Sequence, residues 1–305
     1  MSPAGRAATA APGPGPMPAA VLRALDLTVR RRVESVVPGD HRTSALGTGT
    51  ELAQVRPYQI GDDVRQIDWN VTARTLEPHV RVQVAERALT TWLLLDASPS
   101  MRFGTADRRK IDVAEGAAVA IGHIGTRRGN RLGVLTFGVR EPRSQRPRQG
   151  RRGLLGLLAA LRTEPEPDGS GATSLGEALA RAGALARQRG LVVIVSDFRG
   201  PVDWGSALLR LRSRHHVLAL EVRDPREQHL PAVGELWLVD PETGRQLRVD
   251  TRSRRIRERF AERAELERAT LADALRRADV DHVVLSTEGD WLRELVSFLH
   301  RRPRR

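Results

Sequence analysis

Cysteine is absent from this chain of 305 residues, which excludes disulfides and any thiolate metal site. No apolar run approaches the roughly 18 residues that a membrane-spanning helix needs. The first residues hold Arg6 but no apolar stretch of the kind a secretory signal carries. These absences together lead to the expectation of a cytoplasmic protein. Lysine is nearly missing as well: Lys110 is the only one, so the net charge of +13 rests on arginine. A basic chain invites an anionic partner such as nucleic acid or acidic lipid. Aromatic residues make up only 4% of this one, however, and basic segments with few interleaved aromatics are poor platforms for stacking bases. The abundance of Ala, Arg, Gly and Pro also fits the bias of a GC-rich genome. Nucleic acid is therefore not the expected partner, and binding through the Arg-rich segments stands as an alternative.

Hydrophobic residues make up 40% of the sequence, as in globular proteins, and the length suffices for a sizeable core. No internal repeat is present. Residues 1–17 are Ala, Gly and Pro with little else, too few apolar groups to offset ordering entropy, so a disordered tail is expected. Residues 18–88 begin with Pro18, and Leu22, Leu25, Val29 and Val33 follow at helical spacing. Pro38 to Thr50 reads as loop, and Val80, Val82 and Val84 alternate as in a half-exposed strand.

From residue 89 to about 300 the pattern changes. Trp92–Leu95, Leu132–Phe137, Leu191–Val195, Val217–Val222 and His282–Leu285 are apolar runs, as in strands covered on both faces. Helical stretches separate them: Ile111–Thr126, Leu154–Leu161, Leu175–Arg189, Trp204–Arg212 and Trp291–Leu299. Such alternation predicts a three-layer α/β domain with a mostly parallel sheet. Two additions at about 235–278 interrupt it: a β-hairpin, Glu235–Val239 with Gln246–Val249, and a charged helix from Ser253 to Arg277. Arg140–Arg152 reads as an exposed connection at a sheet edge.

Asp96, Ser98 and Ser100 alternate with Ala97 and Pro99 directly after the first buried strand. Ligands of open α/β sheets bind beyond the carboxyl ends of the strands, and a tight turn there lets the three oxygens converge. One carboxylate with two hydroxyls is a hard, all-oxygen set that favours Mg²⁺, with Mn²⁺ possible, over zinc. Thr173, in a glycine-bearing loop entering a helix, and Asp197, at the end of Leu191–Val195, stand where further oxygens are needed. The competing reading makes Asp96 and Ser98 caps and places Ser100 in a turn. Upstream, Arg56, Asp62, Asp63, Arg65, Asp68 and Arg74 crowd six charges around Tyr58, Gly61 and Trp69. This block is either a salt-bridged clasp between the N-terminal segment and the sheet domain, or a partner surface.

Asp-x-Ser-x-Ser followed by a later Thr and a later Asp resembles the metal-ion-dependent adhesion site (MIDAS) of von Willebrand factor A domains. The block from Arg56 to Trp69, with Thr72-Ala73-Arg74, is similar to the diagnostic stretch of the bacterial domain of unknown function 58 family, where it precedes such an A-like domain. The resemblance implies a von Willebrand factor A-like, Rossmann-type fold and a metal set of Asp96, Ser98, Ser100, Thr173 and Asp197. It also implies an association with MoxR-type AAA+ ATPases in the assembly or maturation of other proteins. Many members have transmembrane helices near the start, which this chain lacks. The sequence is thus read as a non-enzymatic, metal-dependent protein-binding module whose partner supplies an acidic ligand. A metal-dependent phosphohydrolase is an alternative, but haloacid dehalogenase chemistry needs a second Asp as general acid where Ser98 stands. Gly-x-Ser-x-Gly is absent around Ser98 and Ser100, and no P-loop is present, so ATP hydrolysis belongs to a partner. His215 and His216 are adjacent before a strand and should point to opposite faces, against one shared metal.

Overall fold

The computed structural model describes Gly15 and residues 46–84, 89–126, 130–150, 152–153, 155–157, 174–200 and 202–300. The predicted tail (Gly15 apart), the helix after Pro18, residues 38–45 of the predicted loop and Thr173 lie outside the described residues. The chain divides into a small unit, Val37–Ala88, and a large one whose sheet begins after Leu89.

In the small unit β1 (Leu46–Pro57) pairs antiparallel with β2 (His79–Val84). The predicted loop therefore ends before Leu46. Gly47 and Gly49 suggested a turn, but the strand runs through them, its register with β2 irregular between Leu46 and Glu51. Between the strands lies α1 (Trp69–Thr75), whose N-cap Asp68 accepts from the amides of Asn70 and Val71. The same carboxylate takes Arg81 Nε at 2.8 Å, a partner supplied by β2 rather than by the block itself. The Arg74 side chain, by contrast, is exposed and has no hydrogen bond or ion pair among the described residues. Asp68→Ala is therefore expected to lower the unfolding temperature, because it removes a helix cap and strands Arg81. Arg74→Ala is expected to leave it unchanged. Thermal melts followed by circular dichroism check both, and equal effects would undo this assignment.

The large unit is a three-layer α/β fold. Its six-stranded sheet has the order β10-β7-β6-β3-β4-β5, made of β3 (Thr90–Asp96), β4 (Arg131–Phe137), β5 (Ser144–Gln149), β6 (Gly190–Ser196), β7 (His216–Arg223) and β10 (Asp281–Ser286). All neighbours run parallel except β5, which is antiparallel to β4. Every residue of β3 and β6 is buried, as the unbroken apolar runs predicted. Trp92, Leu94, Val192 and Ile194 pack into one cluster with α3 (Leu175–Leu185), α4 (Gly205–Arg212) and Leu271 and Leu275 of α5 (Arg254–Arg277). From the other face α2 (Lys110–Gly125) lies on β3, β6 and β7 with Val113, Ala117 and Ile121 buried. The C-terminal α6 (Trp291–His300) packs on β10.

Two readings change here. Ser144–Gln149 is an edge strand, not a connection. Only one side is paired and little covers it, so its residues are Arg, Gln and Pro, with Pro147 at the irregular step of the ladder. The helix predicted over 175–189 stops at Leu185, with Ala186 as its C-cap. The hairpin is present as β8 (Glu235–Val239) and β9 (Gln246–Asp250). Among the described residues no helix is long and apolar enough to cross a membrane.

Candidate metal centre

The chain leaves β3 toward β4 on one side and leaves β6 toward β7 on the other. The crevice between the carboxyl ends of β3 and β6 is thus the topological switch point, where open α/β sheets take ligands. Asp96 ends β3 and Asp197 follows β6 directly, so register alone brings two carboxylates to one place.

After Asp96 the chain turns tightly. Ala97 N–H donates to Phe137 O at 2.9 Å, Ser98 N–H to Asp96 Oδ1 at 2.9 Å, and Met101 N–H to Ser98 O at 3.1 Å. Pro99 starts a short 3-10 turn, Pro99–Arg102, which buries Ser100 and Met101. The hydroxyls of Ser98 and Ser100 meet at 3.1 Å. Gly138, at φ +75, permits this closeness: a Cβ there would lie 2.6 Å from Asp96 Oδ1 and 2.8 Å from Ser98 N.

Asp96 has neutral partners only. Ser196 Oγ donates to its Oδ2 at 2.5 Å, and the Ser98 amide and hydroxyl serve Asp96 as well. Burial and the neighbouring Asp197 carboxylate push its carboxyl up to about 7, against those hydrogen bonds. Asp197 is held differently. Lys110 Nζ, fully buried, sits 2.6 Å from Asp197 Oδ2 and 2.6 Å from Glu227 Oε1. Burial would raise the Asp197 carboxyl, but the Lys110 ammonium, with hydrogen bonds from Lys110, the Arg199 amide and Ser100, outweighs it and keeps the carboxyl below its ordinary range. Glu227 also meets Arg199 Nε at 3.4 Å.

Asp224 fixes the surrounding loops. Its side chain accepts from Thr105 N–H, Thr105 Oγ1, Arg226 N–H and Thr287 Oγ1 at 2.6–2.9 Å. Burial pushes its carboxyl up, and these donors more than reverse the effect. From the hairpin turn, Glu242 Oε1 accepts the Ser100 amide at 2.9 Å.

The structure thus brings Asp96, Ser98, Ser100 and Asp197 together as the sequence predicted, and adds Ser196, Lys110, Glu227 and Glu242. Two signals pointed to the additions: Lys110 is the lone lysine of an arginine-rich chain, and Ser196 immediately precedes Asp197. Glu227 and Glu242 carry no sequence signal, being brought in by loops far along the chain. No group of three His, Asp or Glu side chains gathers in metal-ligating fashion among the described residues, so any metal here would rest on a mixed carboxylate and hydroxyl set. Asp96, Asp197, Glu227 and Glu242 come together here, with Lys110 and Arg199 on the Asp197–Glu227 side. Asp96, whose partners are hydroxyl and amide groups, is the carboxylate that a divalent cation would neutralise. The residues present therefore fit such an ion.

The block residues sit elsewhere, in the small unit. Arg56 grips Asp62 bidentately, with both distances 2.7 Å. That contact raises the guanidinium and lowers the carboxyl from their usual ranges. Asp63 caps a short turn through the Arg65 amide, Gly61 takes φ +108, and the Tyr58 amide donates to Pro78 O. Trp69 and Arg65 are exposed. His216 Nε2 meets Asp281 Oδ2 at 3.1 Å, while His215 is buried with its Nε2 unpartnered among the described residues, so the two do not share a ligand. Along α5 five of the eight arginines are paired: Arg254 with Glu258, Arg263 with Glu267, Arg268 with Glu265, and Arg276 and Arg277 both with Asp273.

An uncharacterized protein of Mycobacterium tuberculosis, Rv1480, is 40% identical over 291 residues, 95% of this chain and 91% of its own length. Among solved structures, an aerotolerance-related membrane protein from Bacteroides fragilis is similar at a TM-score of 0.46 and 12% identity, covering 69% of this chain and 96% of that one. BatB from Bacteroides thetaiotaomicron is similar at 0.43 and 14%, covering 70% and 97%. Residues 54–270 match the family described as protein of unknown function DUF58, and the chain belongs to that family.

Proposed function

We propose that this chain is a non-enzymatic protein-binding module that works through a divalent cation, Mg²⁺ or Mn²⁺, held by Asp96, Ser98, Ser100 and Asp197, with Thr173 as a further ligand. Asp96 carries the reading: a buried carboxylate beside a second carboxylate, with only hydroxyl and amide donors of its own. Such a group is costly unless a cation joins it. Bound there, the cation supplies an electrophilic position open to an oxygen ligand. This chain's own residues neutralise the Asp197 side through Lys110, so the charge of the ion is directed to Asp96 and to an incoming carboxylate. A partner presenting Asp or Glu is the natural occupant, and the net charge of +13 favours its approach. The family resemblance supports a MoxR-type AAA+ ATPase as the companion.

Calorimetry should find one Mg²⁺ bound to the wild type and, as an order of magnitude, about ten-fold weaker binding to Ser98→Ala, which removes one ligand oxygen. Affinity for the companion ATPase should fall likewise in Ser98→Ala and in EDTA, with the melting curve of the variant preserved. Equal affinity in Mg²⁺ and in EDTA would refute the mechanism. Hydrolysis of generic phosphate esters that vanishes in Asp96→Ala would replace it with the phosphohydrolase.

A further inference from the structure

The hairpin β8–β9 reaches the metal centre through one side chain. Its turn is tightly built. Asp240 N–H donates to Arg245 O, and Gly244 N–H returns to Asp240 O, both at 2.8 Å. The Asp240 carboxylate accepts from the Glu242 amide at 3.0 Å and from Thr243 Oγ1 at 2.5 Å, while Gly244 takes φ +68. This scaffold aims Glu242 at the loop after β3, where its carboxylate receives the Ser100 amide across 142 residues of chain. The rest of the hairpin is thinly held. Trp237, Val239 and Leu247 are all more than half exposed, and an isolated two-stranded ribbon is marginal by itself. Its base is tied by Thr251, which donates to Gly234 O and accepts from the Val233 amide.

We propose that Glu242 is a tethered acidic ligand: it occupies the carboxylate-receiving position at Ser100, making the β8–β9 hairpin a latch that an incoming partner must displace. The idea rests on the proposed binding function only for the identity of the competitor. The latch itself follows from the hydrogen bond of Glu242 to Ser100 and from the exposure of the hairpin. A carboxylate joined to the centre by a single amide contact, on a hairpin with exposed faces, suits a contact made to be broken. Once Glu242 swings away, the Ser100 amide and the open side of the centre become available together.

Hydrogen exchange read by mass spectrometry on the full chain tests this. In metal-free buffer, Glu242→Ala should speed exchange about ten-fold both in residues 97–103 and in residues 235–250, because one contact closes both. Adding a short poly-glutamate peptide to Glu242→Ala should restore protection of 97–103. The same peptide should loosen 235–250 in the wild type. Exchange indistinguishable between the two proteins overturns the latch, and so does a peptide that protects nothing in Glu242→Ala. If the difference persists but Mg²⁺ alters exchange in neither protein, the latch stands and the metal reading falls.

Discussion

Replacing Lys110 with Met is expected to be among the most destabilising single changes in the large unit. The ammonium is fully buried, 2.6 Å from each of two carboxylates whose side chains are 2% and 12% exposed. Removing one partner of such a network leaves uncompensated buried charge, a loss on the order of 3–5 kcal/mol. For a unit of this size that corresponds to roughly 10 °C in unfolding temperature. Lys110→Arg is the informative companion. The guanidinium keeps the charge but is a planar fork, whereas the pocket between Asp197 and Glu227 receives a compact ammonium with three donors, 6.0 Å above the Phe103 ring. A chain that uses arginine almost everywhere else departs from the habit here, and Lys110→Arg should recover only part of the loss. Mg²⁺ should stabilise Lys110→Met more than the wild type, because the ion then has two unneutralised carboxylates to join. A Lys110→Met protein melting within 2 °C of wild type, an allowance of about 1 kcal/mol, would show that the buried pair contributes little.

The sheet was legible because its physics is local. Trp92–Leu95 and Leu191–Val195 are apolar at consecutive positions, which only a strand covered on both faces requires, and both are wholly buried. The edges were not legible. Ser144–Gln149 shows no alternation, since solvent faces most of its side chains, and its strand state comes from pairing with β4. Leu46–Thr50 was hidden by its glycines, which fall at the irregular step of the ladder between Leu46 and Glu51.

The centre divides along the same line. Asp96, Ser98 and Ser100 lie within one turn and were readable as a unit. Asp197 was readable because a strand end is a strand end. Lys110 is separated from its partner Glu227 by 117 residues of chain, and Glu242 reaches Ser100 from the hairpin turn. No spacing rule connects such residues; only the fold, which gathers them beyond the carboxyl ends of β3 and β6, does. The charge block taught the converse. Its density suggested mutual pairing, and Arg56–Asp62 pairs as expected, but Asp68 takes Arg81 from β2, and Arg65 and Arg74 stay at the surface.

In metal-free buffer at pH 8, Asp96→Asn is expected to be more stable than the wild type, although it removes a proposed ligand. Burial and Asp197 raise the Asp96 carboxyl to about 7 in the folded chain, whereas an unfolded Asp titrates at about 3.9. Between those values the native state holds a proton that the unfolded state has released, so stability falls as pH rises from about 4 to about 7 and stays low above it. An amide never ionises and avoids that fall. Its one amide oxygen can take the Ser98 amide in place of Oδ1, and its NH2, in place of Oδ2, can donate to the Ser196 hydroxyl instead of accepting from it. The gain should be several degrees at pH 8 and should vanish near pH 4, where both proteins are neutral at this position. Saturating Mg²⁺ should reverse the order: the wild type gains about 2.7 kcal/mol at a hundred times its dissociation constant, and Asp96→Asn gains little. Paired melts at pH 4 and pH 8, with EDTA or with Mg²⁺, read all of this. A variant less stable than wild type in EDTA at pH 8 would show that the Asp96 carboxylate is held for the fold rather than for a cation.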